Sequence, residues 1–323
     1  MNVLIVHAHP ETRSFSSALA ATARDTLAAA GHKVELLDLY RAGFDPVSDR
    51  RNFTTTADAD YFKQQAEESH ATEHDGFVPE LEQHIALLER CDLLVFSFPL
   101  WWFGMPAILK GWVDRVFAAG RIYGGPKLYE GGIGAGKKAM VLMTTGGGPD
   151  MYSGRGVNPP MDHILQPIEH GVFWFNGFGP LDPFIAWSPA RQSDEERGAT
   201  LDSLRNQLSD VADQTPRVLP PLADFPGFGV DSQGRFHVVV TRKFEGAPDE
   251  AFVARVPEEK QMLSDLRRSG VLLEVQFTGP DDPAWRGFLT FRAPDRQTVD
   301  GWLAGLPLAS YFDFEVSQIV PAG

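Results

Sequence analysis

Cysteine, basic residues and long apolar runs are scarce in this chain of 323 residues, and each scarcity excludes a class of protein. The single cysteine, Cys91, cannot form an internal disulfide, and it lies beside an apolar run, which favours a small core residue over a reactive thiol. Lys and Arg number 29 against 43 Asp and Glu, giving a formal charge of -14. Because a nucleic-acid binder needs a basic face, nucleic acid is not an expected partner.

No apolar segment approaches the roughly 18 uninterrupted residues of a membrane span. The opening stretch, MNVLIVHAHPE, has a short apolar run but neither the basic segment nor the small-residue cleavage site of a signal peptide. We therefore expect a cytoplasmic protein without a membrane span. No metal site is predicted.

Apolar strands alternate with helical segments over the first part of the chain. Strands are predicted at Val3–Val6, Lys33–Leu39, Leu93–Phe98, Ala139–Met143 and Val172–Phe178. Helices are predicted at Ser16–Ala30, Val78–Arg90, Met105–Ala118 and Asp194–Leu208. This alternation is typical of an α/β fold whose parallel sheet is covered on both faces, and five strands suggest the flavodoxin-like, doubly wound type. The polar stretch 40–76 shows little periodicity and is a candidate cover or interface.

The chain is longer than the usual domain of about 100–150 residues, so a second domain is expected. Prolines and glycines predict a linker at 215–230, which separates a domain at 1–214 from one at 231–323. In the latter, strands are predicted at Phe236–Arg242, Val271–Phe277, Gly287–Phe291 and Tyr311–Ile319, with helices at Pro257–Ser269 and from Arg296. The order βαββαβ is that of a ferredoxin-like α+β domain.

Three loops that follow predicted strands carry groups suited to one ligand. In HAHPETRSFS, Ser14 and Ser16 lie where a helix N-terminus could bind pyrophosphate, although a serine could simply cap the helix and His9 could be solvated. In PLWWFGMP, aromatic rings could stack on a planar ligand or form a packed turn. In TTGGGPDMYSGRGVNPP, glycines allow close backbone approach. Since the carboxyl ends of parallel strands meet at one edge, the three loops are expected together.

A fourth glycine-rich stretch, GGIGAGKK at 131–138, approximates the phosphate-binding loop of nucleotide hydrolases. Lys138 stands where that loop needs a hydroxyl, and the stretch precedes a strand instead of following one. We interpret it as a turn.

With these motifs the chain resembles the NAD(P)H:quinone oxidoreductases of the DT-diaphorase type over roughly Asn2–Leu208. The matching stretches are FPLWWFGMPAILKGWVDRVF, TTGGGPDMYSGRG and GFGPLDP, in the expected order. The resemblance implies a flavodoxin-like fold, FAD in preference to FMN, NAD(P)H as co-substrate, and a homodimer with its site at the subunit interface. It further implies ping-pong transfer of two electrons to a quinone or similar aromatic acceptor, with nitro or azo compounds as alternatives.

The resemblance also implies roles for individual residues. The cofactor-binding residues would be His9, Ser14, Phe15, Ser16, Pro99, Leu100, Trp101, Trp102, Phe103, Thr144, Thr145, Gly146, Gly147, Tyr152 and Arg197. The substrate pocket would comprise Phe103, Tyr123, Asn158 and Phe175, with Tyr123 supplied by the partner subunit.

Tyr152 and Asn158 would form the catalytic pair, and Asn158 departs from the family pattern, which usually has histidine there. Our hypothesis is that Asn158 retains orientation by hydrogen bonding and loses a proton relay. Gly125 replaces a second pocket tyrosine, and His163 is a weak substitute for the missing histidine. An alternative function is therefore a regulatory flavoprotein with weak turnover.

The C-terminal part resembles muconolactone isomerase and related small αβ proteins, through FHVVVTRK, EEKQMLSDLRRSG and LAGLPLASYFDFEV. If isomerase chemistry survived, Glu259 would be the candidate proton carrier, and the protein would be a bifunctional reductase with a lactone isomerase tail. The alternative is a dimerisation or lid module in which Glu259 is a solvated helix charge and His237 is a core residue.

Overall fold

The computed structural model describes residues 1–229, 231–279, 282 and 284–320, and the chain forms two compact units. The first unit ends at Pro216 and the second begins at Arg217. Within the described ranges, no helix is both long enough and apolar enough to cross a membrane.

The first unit is a parallel sheet with helices on both faces, which confirms the predicted fold class. Its elements are β1 (Asn2–His7), α1 (Phe15–Ala29), β2 (Lys33–Asp38), α2 (Gln64–Glu73), α3 (Pro79–Arg90), β3 (Leu93–Pro99), α4 (Ala107–Val116), β4 (Lys138–Thr145), α5 (Met161–Ile168), β5 (Gly179–Pro180), β6 (Phe184–Trp187) and α6 (Asp194–Leu208). The strand order is β2-β1-β3-β4-β5, and β6 also pairs with β4. This is the doubly wound order in which the sheet edge beside β1 and β3 is the usual ligand position.

Burial explains why the central strands are apolar along their whole length. Every residue of β3 is buried. One core beside the sheet contains Phe96 and Trp112, and the other contains Ile5 and Leu142. A sheet covered on both faces leaves no solvated side, so the strands show continuous apolar runs and no alternation.

The predicted strand Val172–Phe178 is wrong. Its residues continue α5 as a π-helix at Glu169–Phe173 and a 3-10 turn at Trp174–Asn176. The segment then ends at Gly177, whose φ of +88° is left-handed and suits glycine. A short apolar run is compatible with a buried helix as well as with a buried strand. The sheet position beside β4 is occupied instead by β5 and β6.

The segment 40–76 is more ordered than its weak periodicity predicts. It contains α2 and packs against α4, where the buried Arg115 donates to Asn52 Oδ1 at 2.8 Å and to the Asp45 carbonyl at 2.5 Å. Gly111 of α4 permits this contact, because a Cβ there would lie 2.3 Å from the Pro46 carbonyl oxygen. Buried polar bonds hold the segment, and hydrophobic patterning does not detect them.

The second unit is a four-stranded antiparallel sheet with two helices, which confirms the predicted ferredoxin-like architecture. Its elements are β7 (Gly234–Arg242), α7 (Glu250–Arg268), β8 (Leu272–Phe277), β9 (Arg286–Ala293), α8 (Arg296–Ala304) and β10 (Phe312–Ile319), with sheet order β10-β7-β9-β8. Helix α7 begins earlier than predicted and includes Pro257. Asp224, in the predicted linker segment, forms an ion pair with Arg292 of β9 at 2.6 Å.

Candidate active site

A cavity of about 650 Å³ lies in the first unit where β1, β3, β4 and β6 end. The predicted cofactor-binding residues on its wall are His9, Ser14, Phe15, Ser16, Pro99, Leu100, Trp101, Thr144, Thr145, Gly146 and Arg197. The loops after three strands therefore meet at one sheet edge, as the parallel topology requires.

The N-terminus of α1 forms the polar wall of the cavity. Ser14 caps the helix by accepting a hydrogen bond from Ser17 N at 3.1 Å, which is the capping role left open by the sequence. The next two backbone N–H groups, of Phe15 and Ser16, have no acceptor within the described part of the chain. Free N–H groups at the positive end of a helix dipole favour an anion such as a phosphate.

A buried pair of hydroxyl groups joins this wall to the end of β4. Ser16 Oγ and Thr144 Oγ1 lie 2.8 Å apart, and both residues are buried. The neighbouring Thr145 donates to the Gly147 carbonyl at 2.8 Å and so shapes the start of the glycine-rich loop. Hydrogen bonds between loops that are distant in sequence hold the cavity walls in register.

The aromatic wall is a strained turn. Trp101 and Gly104 exchange two backbone hydrogen bonds, of 3.2 and 3.0 Å, around Trp102 (φ +51°) and Phe103 (φ +59°). Two successive left-handed residues define a type I′ turn, which glycine or asparagine normally occupies. Such strain is found at functional sites. The turn leaves Trp102 99% exposed and Phe103 49% exposed, so neither belongs to the core.

Seven predicted site residues lie outside this cavity wall: Trp102, Phe103, Gly147, Tyr152 and Asn158, and also Tyr123 and Phe175. The buried Tyr152 packs its ring 5.6 Å from that of Trp187. The backbone N–H of Asn158 donates to the Met151 carbonyl at 3.0 Å, which closes the loop on itself. His163 is exposed on α5. In the single chain, therefore, the predicted catalytic pair lies on a loop beside the cavity.

Tyr123 and Phe175 line a separate cavity of about 340 Å³ between α2, α4 and the segment after α5. Their rings are 6.1 Å apart, and the Tyr123 hydroxyl accepts a hydrogen bond from Gln65 Nε2 at 3.2 Å. Burial raises the pKa of Tyr123, and it also raises the pKa of Glu68 on the same wall. The predicted substrate-pocket residues are thus divided between two places in one protomer.

The outer wall of the first cavity contains residues that sequence reasoning missed. Pro189 and Ala190 follow β6, and Arg197 organises them by donating to the carbonyls of Pro189 and Gln192. Applying the sheet-edge rule to the loop after the last strand would have identified this wall. The sequence also gave no signal for His7, which is buried at the end of β1.

The remaining sequence candidates do not line this cavity. Residues 131–138 form a turn that leads into β4, and Lys138 Nζ donates to the carbonyls of Val211 and Ala212. Burial raises the pKa of Cys91 to about 12, so its thiol is inert, as predicted. In the second unit, Glu259 accepts a hydrogen bond from Leu308 N at 2.9 Å, and the half-buried His237 stacks on Phe288.

Comparison with known proteins gives one consistent picture. The family model for the flavodoxin-like fold matches residues 1–209. The chain is 36% identical over 223 residues to NAD(P)H dehydrogenase (quinone) 1 of Cavia porcellus, a match that covers 69% of this chain and 81% of that protein. It is 35% identical over 215 residues to ribosyldihydronicotinamide dehydrogenase (quinone) of Pongo abelii, covering 66% and 93%. A crystal structure from Klebsiella pneumoniae, described as a quinone reductase, aligns with a TM-score of 0.65 at 33% identity and covers 67% of this chain and 87% of that one.

Proposed function

The chain belongs to the NAD(P)H:quinone oxidoreductase family of flavodoxin-like proteins, and on that premise we propose that it binds FAD and transfers two electrons from NAD(P)H to a quinone or similar aromatic acceptor. The observation that supports this function best is the cavity at the sheet edge, which combines a free helix N-terminus with an aromatic turn and a glycine-rich loop. Phosphate and planar-ring recognition thus occur in one place.

The residues present fit a flavin nucleotide. The N–H groups of Phe15 and Ser16 would bind the diphosphate, while Trp101 and the backbone around Thr145 would border the ring. A bound flavin supplies the chemistry of accepting a hydride and passing two electrons to an acceptor. The wall ordered by Arg197 borders the same cavity, and Arg197 matches a basic residue near the adenine end of the cofactor in the family, which favours FAD over FMN.

We further propose that the active protein is a cytoplasmic homodimer in which the partner subunit supplies the cavity of Tyr123 and Phe175. Exposed aromatic residues such as Trp102 and Phe103 are candidates for burial in an interface. A Trp102→Glu substitution should convert the dimer to a monomer, as measured by light scattering after gel filtration. A wild-type protein that runs as a monomer at micromolar concentration would contradict this proposal.

Tyr152 and Asn158 would orient the ring without exchanging protons near neutral pH. A carboxamide donates or accepts a hydrogen bond and does not titrate, whereas histidine can deliver a proton to charge that develops on a reduced ring. The rate of flavin reduction by NAD(P)H should therefore be flat between about pH 6 and 8, within the range where histidine titrates. A dependence near neutrality that Asn158→Ala abolished would contradict this role.

The direct test of the proposed function uses the full-length protein. The flavin released on denaturation is identified by mass spectrometry, and bleaching of bound flavin is then followed by stopped flow with NADH, NADPH or reduced ribosylnicotinamide. The last donor is included because the name of the Pongo abelii relative specifies it. A pulse of benzoquinone, or of a nitro or azo compound, measures reoxidation. Fast bleaching and fast reoxidation support a reductase, whereas full occupancy with slow bleaching would favour a regulatory flavoprotein.

A further inference from the structure

A buried imidazole connects two elements beside the cavity. His7, the last residue of β1, is 2% exposed. Its Nδ1 lies 3.0 Å from the hydroxyl of Ser97 on β3, and its Nε2 lies 3.1 Å from the hydroxyl of Ser17 in the first turn of α1. Both ring nitrogens therefore have partners, and the partners belong to different elements.

The hydrogen bonds around Ser17 determine which nitrogen of His7 carries the proton. The Ser17 hydroxyl donates to the Glu11 carbonyl at 2.9 Å and accepts from the Ser14 hydroxyl at 3.0 Å. Because a hydroxyl group has one proton, Ser17 can only accept a hydrogen bond from His7. The neutral ring is thus protonated on Nε2, and its Nδ1 accepts from the Ser97 hydroxyl.

We propose that His7 is a positioning residue of the flavin site, which holds Ser14 and the first turn of α1 in the geometry that receives the diphosphate. The inference rests on the proposed function. Ser14 borders the cavity and is connected to His7 through Ser17 alone, while Ser97 precedes Pro99 of the aromatic wall on the same strand. One ring therefore couples the phosphate-binding wall to β3.

Acid should destabilise the surroundings of His7, because burial disfavours the charged ring and a proton on Nδ1 requires the Ser97 hydroxyl to accept instead of donate, although the Nε2–H bond to Ser17 is kept. Burial lowers the pKa of His7 below its ordinary 6.5, while Asp38 acts to raise it and His9 to lower it. The charged or titratable side chains on the adjoining strand β2, the residues that follow it and the loop before α1 are Lys33, Glu35, Asp38, Tyr40, Arg41, His9, Glu11 and Arg13, and of these Asp38 and His9 act on the pKa of His7. From β3 the ring meets the hydroxyl and the backbone of Ser97, and from α1 it meets the Ser17 hydroxyl, all of them neutral; the Ser97 backbone acts to raise the pKa of His7. Since the folded-state pKa lies below the ordinary 6.5, the neutral ring predominates at neutral pH and is lost only as pH falls through that lowered pKa.

The test measures binding of FAD to the flavin-free, full-length protein by fluorescence quenching. Wild-type protein is compared with His7→Leu, His7→Gln and His7→Asn across roughly pH 5.5 to 8, the range where histidine titrates. His7→Leu should bind FAD about tenfold more weakly at neutral pH, because the buried hydrogen bonds of the ring to Ser17 and Ser97 are removed. His7→Gln places an amide N–H near the Nε2 position, so it should recover most of the affinity and be independent of pH. His7→Asn can meet Ser97 but is too short to reach Ser17, so it should resemble His7→Leu.

A second readout does not depend on flavin. Nitrogen chemical shifts of the His7 ring in the flavin-free wild-type protein should show the proton on Nε2, and backbone amide shifts of each variant report whether it remains folded. A proton on Nδ1 would overturn the inference, as would His7→Leu binding FAD like wild type or His7→Gln keeping the wild-type pH dependence. If wild-type protein bound no flavin at any pH, the proposed function would itself fail, which is a distinct result.

Discussion

The two units of the chain use their buried polar groups differently. In the first unit, the hydroxyls of Ser16 and Thr144 and the free N–H groups of α1 border an open cavity. In the second unit, Arg292 is enclosed by Asp224 and Asp231, and Glu259 accepts from Leu308. Donors in the first unit remain available to a ligand, whereas these groups of the second unit are satisfied within the fold.

The difference shows that residue type alone does not identify a site. A carboxylate on a helix, such as Glu259, suggests acid–base chemistry in sequence, but its partner in the structure is a backbone N–H of the same unit. Serines at a helix start suggest simple capping, yet Ser14 both caps α1 and borders the cavity. What separates the two cases is whether polar atoms face protein or open space.

The largest expected effect tests whether the Arg292 cluster is structural. Arg292 is 9% exposed and contacts Asp231 at 2.7 Å and Asp224 at 2.6 Å. Arg292→Met keeps much of the side-chain volume but removes the cation that pairs with Asp224 and leaves Asp231 with Arg235 alone, so it should destabilise the second unit by about 3 kcal/mol. Hydrogen–deuterium exchange of peptides from β7 and β9 should report the loss.

The matched control for Arg292→Met is Arg296→Met in the same unit. Arg296 and its partner Asp300 are both largely exposed, at 3.5 Å, so its loss should cost no more than about 0.5 kcal/mol. Equal hydrogen–deuterium exchange in the two variants would show that the ion pairs of Arg292 contribute no more to stability than an exposed pair. The contrast between the two units would then not hold.

A second prediction concerns the hydroxyl pair of the first unit. Thr144→Val removes one partner and leaves the buried Ser16 hydroxyl without its bond, so stability should fall by about 1–2 kcal/mol. FAD affinity should fall as well, since the same pair joins two cavity walls. Ser203→Ala, which removes an exposed hydroxyl within α6, is the control and should change neither quantity. Unchanged FAD binding in Thr144→Val would show that the hydrogen bond between Ser16 and Thr144 does not contribute to flavin binding.

Much of the fold was predictable because burial imposes visible patterns. Continuous apolar runs located β1, β3 and β4, and the helix predicted at Asp194–Leu208 is α6 with the same bounds; its capping box at Ser193 and Glu196 is a local feature of the sequence. The cavity wall could be anticipated because parallel strands bring their following loops to one edge.

The remaining features depend on contacts between residues that are distant in sequence. In the sequence His7 is an ordinary strand residue, and only the structure shows its hydrogen bonds to Ser17 and Ser97. Phe173 and Phe178 fill a core from helical and turn backbone, and composition alone could not distinguish this from a strand. In the proposed homodimer, the position of Tyr123 relative to the partner subunit would likewise depend on contacts between residues distant in sequence.

A third prediction uses two adjacent carboxylates of the segment that packs on α4. Glu67 and Glu68 are each 2% exposed. Hydrogen bonds from the Ala57 and Asp58 backbone lower the pKa of Glu67, whereas burial raises the pKa of Glu68. Glu67 should therefore stabilise the fold above its ordinary value of 4.5 and lose this effect as pH falls, while Glu68 should cost stability as pH rises above 4.5.

Comparing Glu67→Gln with Glu68→Gln tests the predicted opposite signs of the pH dependence of stability, because the two substitutions are the same and lie at adjacent positions. Relative to wild type, Glu67→Gln should become less stable as pH increases from about 4 to 8, and Glu68→Gln should become more stable over the same range. Urea unfolding at several pH values measures both. Parallel pH dependences in the two variants would show that the segment is not held by the bonds described.

The smallest expected effect is that of Glu259→Gln, and it bears most directly on the second unit. If Glu259 serves as an acceptor for Leu308 N, the amide oxygen of glutamine replaces it, and the midpoint of unfolding should barely move, whereas Glu259→Ala should cost about 1 kcal/mol. If Glu259 were instead a proton carrier, wild-type protein would isomerise a muconolactone and Glu259→Gln would abolish the activity without loss of stability, because an amide cannot relay a proton. Assaying both variants for lactone turnover and for unfolding thus separates a structural carboxylate from a catalytic one, and absence of turnover in wild type would place the chemistry of this chain in its first unit alone.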